Sequence, residues 1–342
     1  MKKLLIRILV FFALIVVMNW VYSKWFYEKD LQKYSDIVNL SRHVVEDSCR
    51  IIYLGESSNH TCGWAESDKR KISDMIWSYF PDIRCGDMTK DASHAQLYYN
   101  MLKIIPKESS VETVVVTMNL RSFDAGWIYS ELETALQKQL VLLKDYPPLV
   151  NRFLLAFKAY PIRSKSEWNT MAREHREKER LQFPYDFEWE TAGQWENAMM
   201  KQGRVDSLGQ RDDALTSLAC TYISTYAFLI HDDNPRVKDF DAIVDLCRER
   251  GWNLVFNLLA ENVDKANELV GKDLVYLINK NRDYLMQRYG SLEHVVLVDN
   301  LDVVRDASFI DQNWTTEHYY AEGRQIIAHR IAMALLHNKF IK

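Results

Sequence analysis

The sequence predicts an α/β chain: a three-layer α/β/α domain on a parallel, flavodoxin-like five-stranded sheet, with a helical insertion and an N-terminal transmembrane helix. Three observations predict it. Short apolar runs alternate with segments of helical apolar spacing over residues 49–121 and again over 236–342. The stretch 122–235 between them carries no strand pattern. Leu4 to Val21 is apolar apart from Arg7 and Asn19, a run about as long, at ~1.5 Å per helical residue, as a bilayer's hydrocarbon core is thick.

The residues after that run, Asn19-Trp20-Val21-Tyr22-Ser23-Lys24-Trp25, offer no small-x-small cleavage site, so residues 1–23 read as an anchor rather than a cleaved signal peptide. Trp20, Tyr22, Trp25 and Tyr27 suit an interfacial belt. Lys2, Lys3 and Arg7 precede the span, whereas Lys24 and Lys29 after it are balanced by Glu28 and Asp30. The positive-inside rule then places the C-terminal domain outside the cytoplasm. Residues 24–48 form a stalk or a first helix against the domain.

The folded part begins at Cys49. Arg50 to Leu54 is a buried strand; Trp64 to Phe80 is a helix on the spacing of Ile72, Met75, Ile76 and Tyr79, stopped by Pro81. Ile83 to Cys85 is a second strand ending at Gly86, Ala92 to Ile105 a helix, and Val111 to Met118 a third strand rich in β-branched residues. In the insertion, Trp127 to Leu143 is an amphipathic helix punctuated by Pro147-Pro148; Lys165 to Arg180 is heavily charged. Asp239 to Gly251 is a helix closed by its glycine, Trp252 to Leu259 a fourth strand, Val263 to Tyr289 helical with a break, His294 to Val298 a fifth strand, and Ala321 to His337 the last helix.

Several function classes drop out on composition. A net charge of −4 from interspersed charges provides no basic face for nucleic acid. The five cysteines fit no zinc spacing, and no metal or cofactor is expected; they are buried small hydrophobes or, in part, a bridge among Cys49, Cys62 and Cys85. His231-Asp232-Asp233 lacks a second ligand group and reads as a helix end. The sequons at Asn39, Asn59 and Asn313 are chance matches, since a glycan on the latter two would block the site considered next.

In open parallel sheets, sites form beyond the carboxyl ends of strands, where Ser57, Gly86, Asn119 and Glu261-Asn262 fall on this reading. Ser57 ends the run Ile51-Ile52-Tyr53-Leu54-Gly55-Glu56-Ser57, and His318 lies just before the last helix in Thr315-Thr316-Glu317-His318-Tyr319-Tyr320-Ala321-Glu322-Gly323. A serine at a sheet edge and a histidine that can reach it are the parts of a nucleophile and its general base.

On Gly55-Glu56-Ser57 and His318 to Gly323, together with the strand pattern of residues 49–121 and 236–342, the chain resembles the SGNH (GDSL-like) hydrolase superfamily. The resemblance implies Ser57 as nucleophile and His318 as base, with an oxyanion hole made by the Ser57 amide, the Gly86 amide and the Asn119 side chain. The family's acid stands three residues before the histidine, where this chain has Thr315. Asp311, seven residues before His318, takes that role, or a Ser-His dyad works with a backbone carbonyl; Glu317 is adjacent but points elsewhere. With the anchor, the chain resembles proteins that act with membrane-bound O-acyltransferases on cell-envelope glycans. The implied activity is acyl transfer, to water as an esterase or to a sugar hydroxyl as an O-acyltransferase. Phe183, Tyr185, Phe187, Trp189 and Trp195 pack the insertion on the core or, alternatively, stack on sugar rings. Two rivals remain: a catalytically degenerate glycan-binding scaffold, kept alive by Thr315 and by Thr117-Met118-Asn119-Leu120-Arg121 standing where the family carries Gly-x-Asn-Asp, and an anchored lipase or thioesterase, which would need an apolar groove walled by the insertion.

Overall fold

A computed structural model describes residues 2–340. Helix α1 (Lys2–Trp25) is followed by α2 (Tyr27–Tyr34), α3 (Asp36–Glu46), β1 (Ile51–Gly55), α4 (Ile72–Trp77), β2 (Cys85–Thr89), α5 (Ala95–Ile104) and β3 (Thr113–Met118). Next come α6 (Ala125–Ile128), α7 (Leu132–Leu140), α8 (Pro148–Ala156), α9 (Lys165–Lys178), α10 (Ala192–Gln202), a two-residue hairpin of β4 (Arg204–Val205) and β5 (Arg211–Asp212), and α11 (Asp213–Tyr226). The second half of the sheet follows as α12 (Pro235–Arg250), β6 (Asn253–Leu258), α13 (Val263–Leu269), α14 (Lys272–Tyr289), β7 (Val295–Asp299) and α15 (Ala321–His337).

Five parallel strands lie in the order β2-β1-β3-β6-β7, the doubly wound order expected from the strand-helix alternation. Because side chains alternate across a strand, the apolar runs feed two cores. Ile52, Leu54, Val114, Val116, Leu254 and Phe256 face α5, α12 and α14, whereas Ile51, Tyr53, Val115 and Val255 face α4 and α15. Each aliphatic side chain so buried is worth about 1.5–3 kcal/mol, which is why both faces must be covered. The insertion shares the first of these cores through Leu136, Trp195 and Tyr222. Residues 24–48 form α2 and α3, and α3 seals β2 with Ile37 and Val44. Helix α1 leaves its apolar span uncovered and is long and apolar enough to cross a membrane.

Three local expectations need correcting. The helix expected from Trp64 starts only at Ile72, because residues 60–71 form a loop held by the fully buried Arg324. Its guanidinium donates to the carbonyls of Thr61, Asp68 and Arg70 at 3.3, 2.6 and 3.1 Å, and a helix from Trp64 would have used the last two internally. The helix expected over Trp127 to Leu143 breaks into α6 and α7, where the Ser130 hydroxyl accepts from the Leu132 amide at 3.1 Å. The second strand starts at Cys85 and runs four residues further, so Gly86 lies inside it, paired with Ile52. A Cβ there would come within 2.5 Å of Val44 and 2.8 Å of Cys49; the glycine admits α3 to the sheet. All five cysteines are free thiols.

Candidate active site

Strand β1 delivers its last residues to a short 3₁₀ turn, Ser57–Asn59, at the carboxyl edge of the sheet. Asn59 pins that turn: its side chain accepts from the Ser73 amide at 2.9 Å and donates to the Thr89 hydroxyl at 2.6 Å. Ser57 is therefore held between the buried Glu56 and Ser58 while itself remaining half-exposed.

The imidazole of His318 meets it. Nε2 lies 3.0 Å from Ser57 Oγ, and Nδ1 lies 2.7 Å from Asp311 Oδ2. A carboxylate accepts only, so Nδ1 carries the proton and Nε2 is left to accept from the serine hydroxyl. What brings Asp311 to the ring is a small antiparallel bridge. Phe309 pairs with Tyr319, the Ile310 amide donates to the His318 carbonyl at 2.9 Å, and the Tyr320 amide donates to the Ser308 carbonyl at 2.9 Å. Residues 311–317 form the loop closing this bridge, so a separation of seven in sequence becomes direct contact. Thr316 Oγ1 donates to the same Asp311 oxygen. Thr315, three residues before His318, is buried with its hydroxyl 3.4 Å from Thr225 of α11.

Glu317 turns away from the imidazole, inward, where it is buried against Arg121 in a two-pronged ion pair. It also accepts from Asn119 Nδ2 at 2.9 Å. Asn119 Oδ1 in turn accepts from the Arg121 amide at 2.9 Å. The side-chain amide is thus held in one orientation, with one of its two N–H donors on Glu317 and the other free. Extending the β1–β3 register, in which Leu54 pairs with Val116, puts Asn119 level with Ser57. Gly86, level with Ile52 in β2, is five residues short of that edge and is withdrawn as an oxyanion donor.

Around Arg121 lie two more buried acids. Glu261 accepts from the Tyr226 hydroxyl at 2.6 Å, and Glu56 sits beside Ser57, its Oε2 3.4 Å from the serine Oγ. Burial, then the charge of Glu317, raises the pKa of both above the ordinary glutamate value. With one guanidinium among three carboxyls, and that guanidinium paired with Glu317, Glu56 and Glu261 are driven toward neutrality. Sequence reasoning assigned no role to Glu56, Arg121, Glu261 or Tyr226. The available signal was the position of the first three directly beyond apolar strands, where an ionisable group must be either paired or functional.

This geometry makes two effects measurable. Asn119→Ala removes the free N–H and is expected to lower kcat on an ester about 10²- to 10³-fold with little change in KM; steady-state kinetics check it. Asp124, which caps α6 by accepting from the Gly126 amide at 2.6 Å, is buried, and burial pushes its pKa up to about 7. A raised carboxyl pKa contributes stability that is fully present below the unfolded value of about 3.9 and is lost as pH rises through about 7. Burial, then Arg236, lowers His94 to about 4, and its contribution is lost in the opposite direction, as pH falls from about 6.5 through 4. Asp124→Asn preserves the cap and removes only the first dependence. Urea unfolding is expected to show wild type losing a few kcal/mol relative to the variant between about pH 4 and 8.

Elsewhere, Phe183, Phe187, Trp189 and Trp195 pack against the core, with Trp189 and Trp195 stacked at 5.9 Å. Tyr185 is the exposed member and donates to Asp273 at 2.6 Å. Asp232, of the His231-Asp232-Asp233 run, accepts from Tyr284 and Arg288 at 2.6 and 2.8 Å.

No protein-family model matches the sequence, and no curated protein matches it. Among solved structures, the chain is similar to a candidate platelet activating factor from Streptococcus pneumonia (TM-score 0.37, 10% identity, covering 95% of this chain and 98% of that one). It is also similar to a candidate acylhydrolase from Bacteroides fragilis (TM-score 0.36, 9% identity, 89% and 98% covered). A third similarity is to a GDSL-like lipase from Bacteroides thetaiotaomicron (TM-score 0.34, 8% identity, 88% and 99% covered). At these scores the chemistry rests on the geometry of the chain itself.

Proposed function

We propose that this chain is a membrane-anchored, extracytoplasmic serine esterase or O-acyltransferase of SGNH type, acting on short acyl esters of an envelope glycan beside a membrane-bound O-acyltransferase. The observation that carries the reading is the continuous chain of contacts Ser57 Oγ, His318, Asp311.

In the reaction, His318 Nε2 takes the Ser57 proton as Oγ attacks the ester carbonyl carbon. The negative charge that develops on the carbonyl oxygen is met by the Ser57 amide and the free N–H of Asn119. Collapse breaks the bond to the alcohol oxygen, which leaves with the proton from His318, and the acyl group stays on Ser57. Water or a sugar hydroxyl then gives its proton to His318, attacks the acyl-serine and releases the free enzyme.

Two features support a short acyl group and a sugar. Beside Glu56 and Asn119 lies a pocket with room for about one water-sized group (about 20 Å³), where Ser93, Ser122 and Ser130 meet the apolar side chains of Trp127, Leu132 and Leu136. A space of that size has no room for a fatty chain, and this favours a small acyl over the lipase or thioesterase reading. Around His318, Trp314 and Tyr320 are exposed, and Trp64 is 91% exposed in the loop whose Gly63 abuts the Tyr320 ring. Exposed aromatic faces beside a catalytic pair suit pyranose rings. Helix α1 supports the anchor.

The test is turnover by the full-length protein in detergent on p-nitrophenyl acetate and p-nitrophenyl octanoate, with fluorophosphonate labelling alongside. Labelling with at least tenfold preference for acetate is expected. Absence of both labelling and turnover would favour the degenerate, glycan-binding reading.

A further inference from the structure

Helix α8 (Pro148–Ala156) is amphipathic the wrong way round for a helix on a water-facing surface. Asn151 and Leu155 are buried, and Arg152 bonds inward to Asp30 at 2.8 Å. The opposite face carries Val150, Phe153 and Phe157 at i, i+3 and i+7, which are 38%, 47% and 80% exposed. The two phenyl rings stack at 6.4 Å, making one continuous apolar strip. Tyr146, at the entry to the helix, is also exposed. A helix with its apolar residues outward needs an apolar neighbour.

The position of the strip says what that neighbour is. Helix α8 packs on α1, and the Leu149 amide donates to the Asn19 side chain at 3.0 Å. Asn19 is inside α1, six residues before its end at Trp25, or about 9 Å along the axis. The first turn of α8 therefore stands at the depth of the last turns of the apolar helix, level with the exposed Trp20. The residues of α1 on either side of Asn19, Met18 and Trp20, are themselves exposed. Lys144 and Lys158, both exposed, bracket the strip, as cations do where an amphipathic helix meets anionic headgroups.

We infer that α8 lies in the interface of the bilayer that α1 crosses, with Val150, Phe153 and Phe157 among the acyl chains and Lys144 and Lys158 at the headgroups. The inference rests on α1 being a retained membrane span. Its consequence is that the catalytic domain is held at a fixed attitude on the membrane by two elements, rather than swinging on a single helix.

The experiment uses the full-length protein in vesicles of phosphatidylcholine and phosphatidylglycerol containing a diazirine-bearing phosphatidylcholine, with photolabelled peptides mapped by mass spectrometry. Residues 145–158 are expected to label along with α1, at least fivefold above the peptide carrying Leu208, which is 80% exposed in the β4–β5 hairpin. Phe157→Ser, at a side chain that projects outward from the domain, should cut labelling of 153–158 severalfold and leave α1 labelled and ester turnover unchanged. Labelling of α1 without 145–158 would overturn the inference while leaving the anchor intact, and would point to a protein partner on this face. Labelling of neither would overturn both.

Discussion

Ser57→Ala is expected to lower ester turnover by about four to six orders of magnitude and to abolish fluorophosphonate labelling, with the fold retained. The size follows from the proposed role: without Oγ no acyl-enzyme would form, and the proposed oxyanion donors alone would leave only a residual rate above water. The fold is retained because the hydroxyl supports little besides the chemistry. Its main partner is His318 at 3.0 Å, in a half-exposed setting, and a hydrogen bond of that kind is worth about 1 kcal/mol. His318→Ala should cost a similar factor. Because serine and histidine act as one unit, the double variant should be scarcely worse than either single one. Undiminished turnover in Ser57→Ala would remove the nucleophile assignment, and additive losses would mean that the two residues act separately.

The second large effect concerns the acid. Asp311→Asn is expected to lower kcat by about two to four orders of magnitude with KM little changed. The substitution keeps shape and polarity. However, an asparagine can turn its N–H toward Nδ1 and stabilise the tautomer with a proton on Nε2, which cannot accept from Ser57. It also removes the charge that offsets the imidazolium formed during attack. A loss smaller than tenfold would support the dyad, with no acid required. Glu317 is the natural rival by sequence adjacency, but its carboxylate is bound to Arg121 and Asn119. Glu317→Gln should therefore act through Asn119: in an Asn119→Ala background it should add little further loss in kcat, a non-additivity that a direct acid would not show.

Much of this molecule is legible in the chain. Strands β1, β3, β6 and β7 and helix α15 fall within two residues of their expected positions, because fully buried parallel strands must be short apolar runs and a covering helix must repeat its apolar residues every three or four positions. The approach of Ser57 to His318 was legible for the same reason: both lie at ends of such elements, and in a doubly wound sheet those ends converge on one edge. The outward apolar length of α1 was equally plain.

What the sequence alone determined, then, is what depends on local periodicity and on the order of elements: the layers, the strand order, the uncovered apolar helix and the two ends where a serine and a histidine meet. Tertiary structure decided everything that depends on a partner distant in the chain. Arg324 strips residues 60–71 of helix by taking their carbonyls. Val44 and Cys49 keep Gly86 bare inside a strand, short of the sheet edge that carries Ser57. Arg121 draws Glu317 inward, and the Phe309–Tyr319 bridge lifts Asp311 to the imidazole instead. Each of these choices is made by a side chain satisfying a buried polar group or filling a buried space, and such demands arise only once the chain has closed on itself.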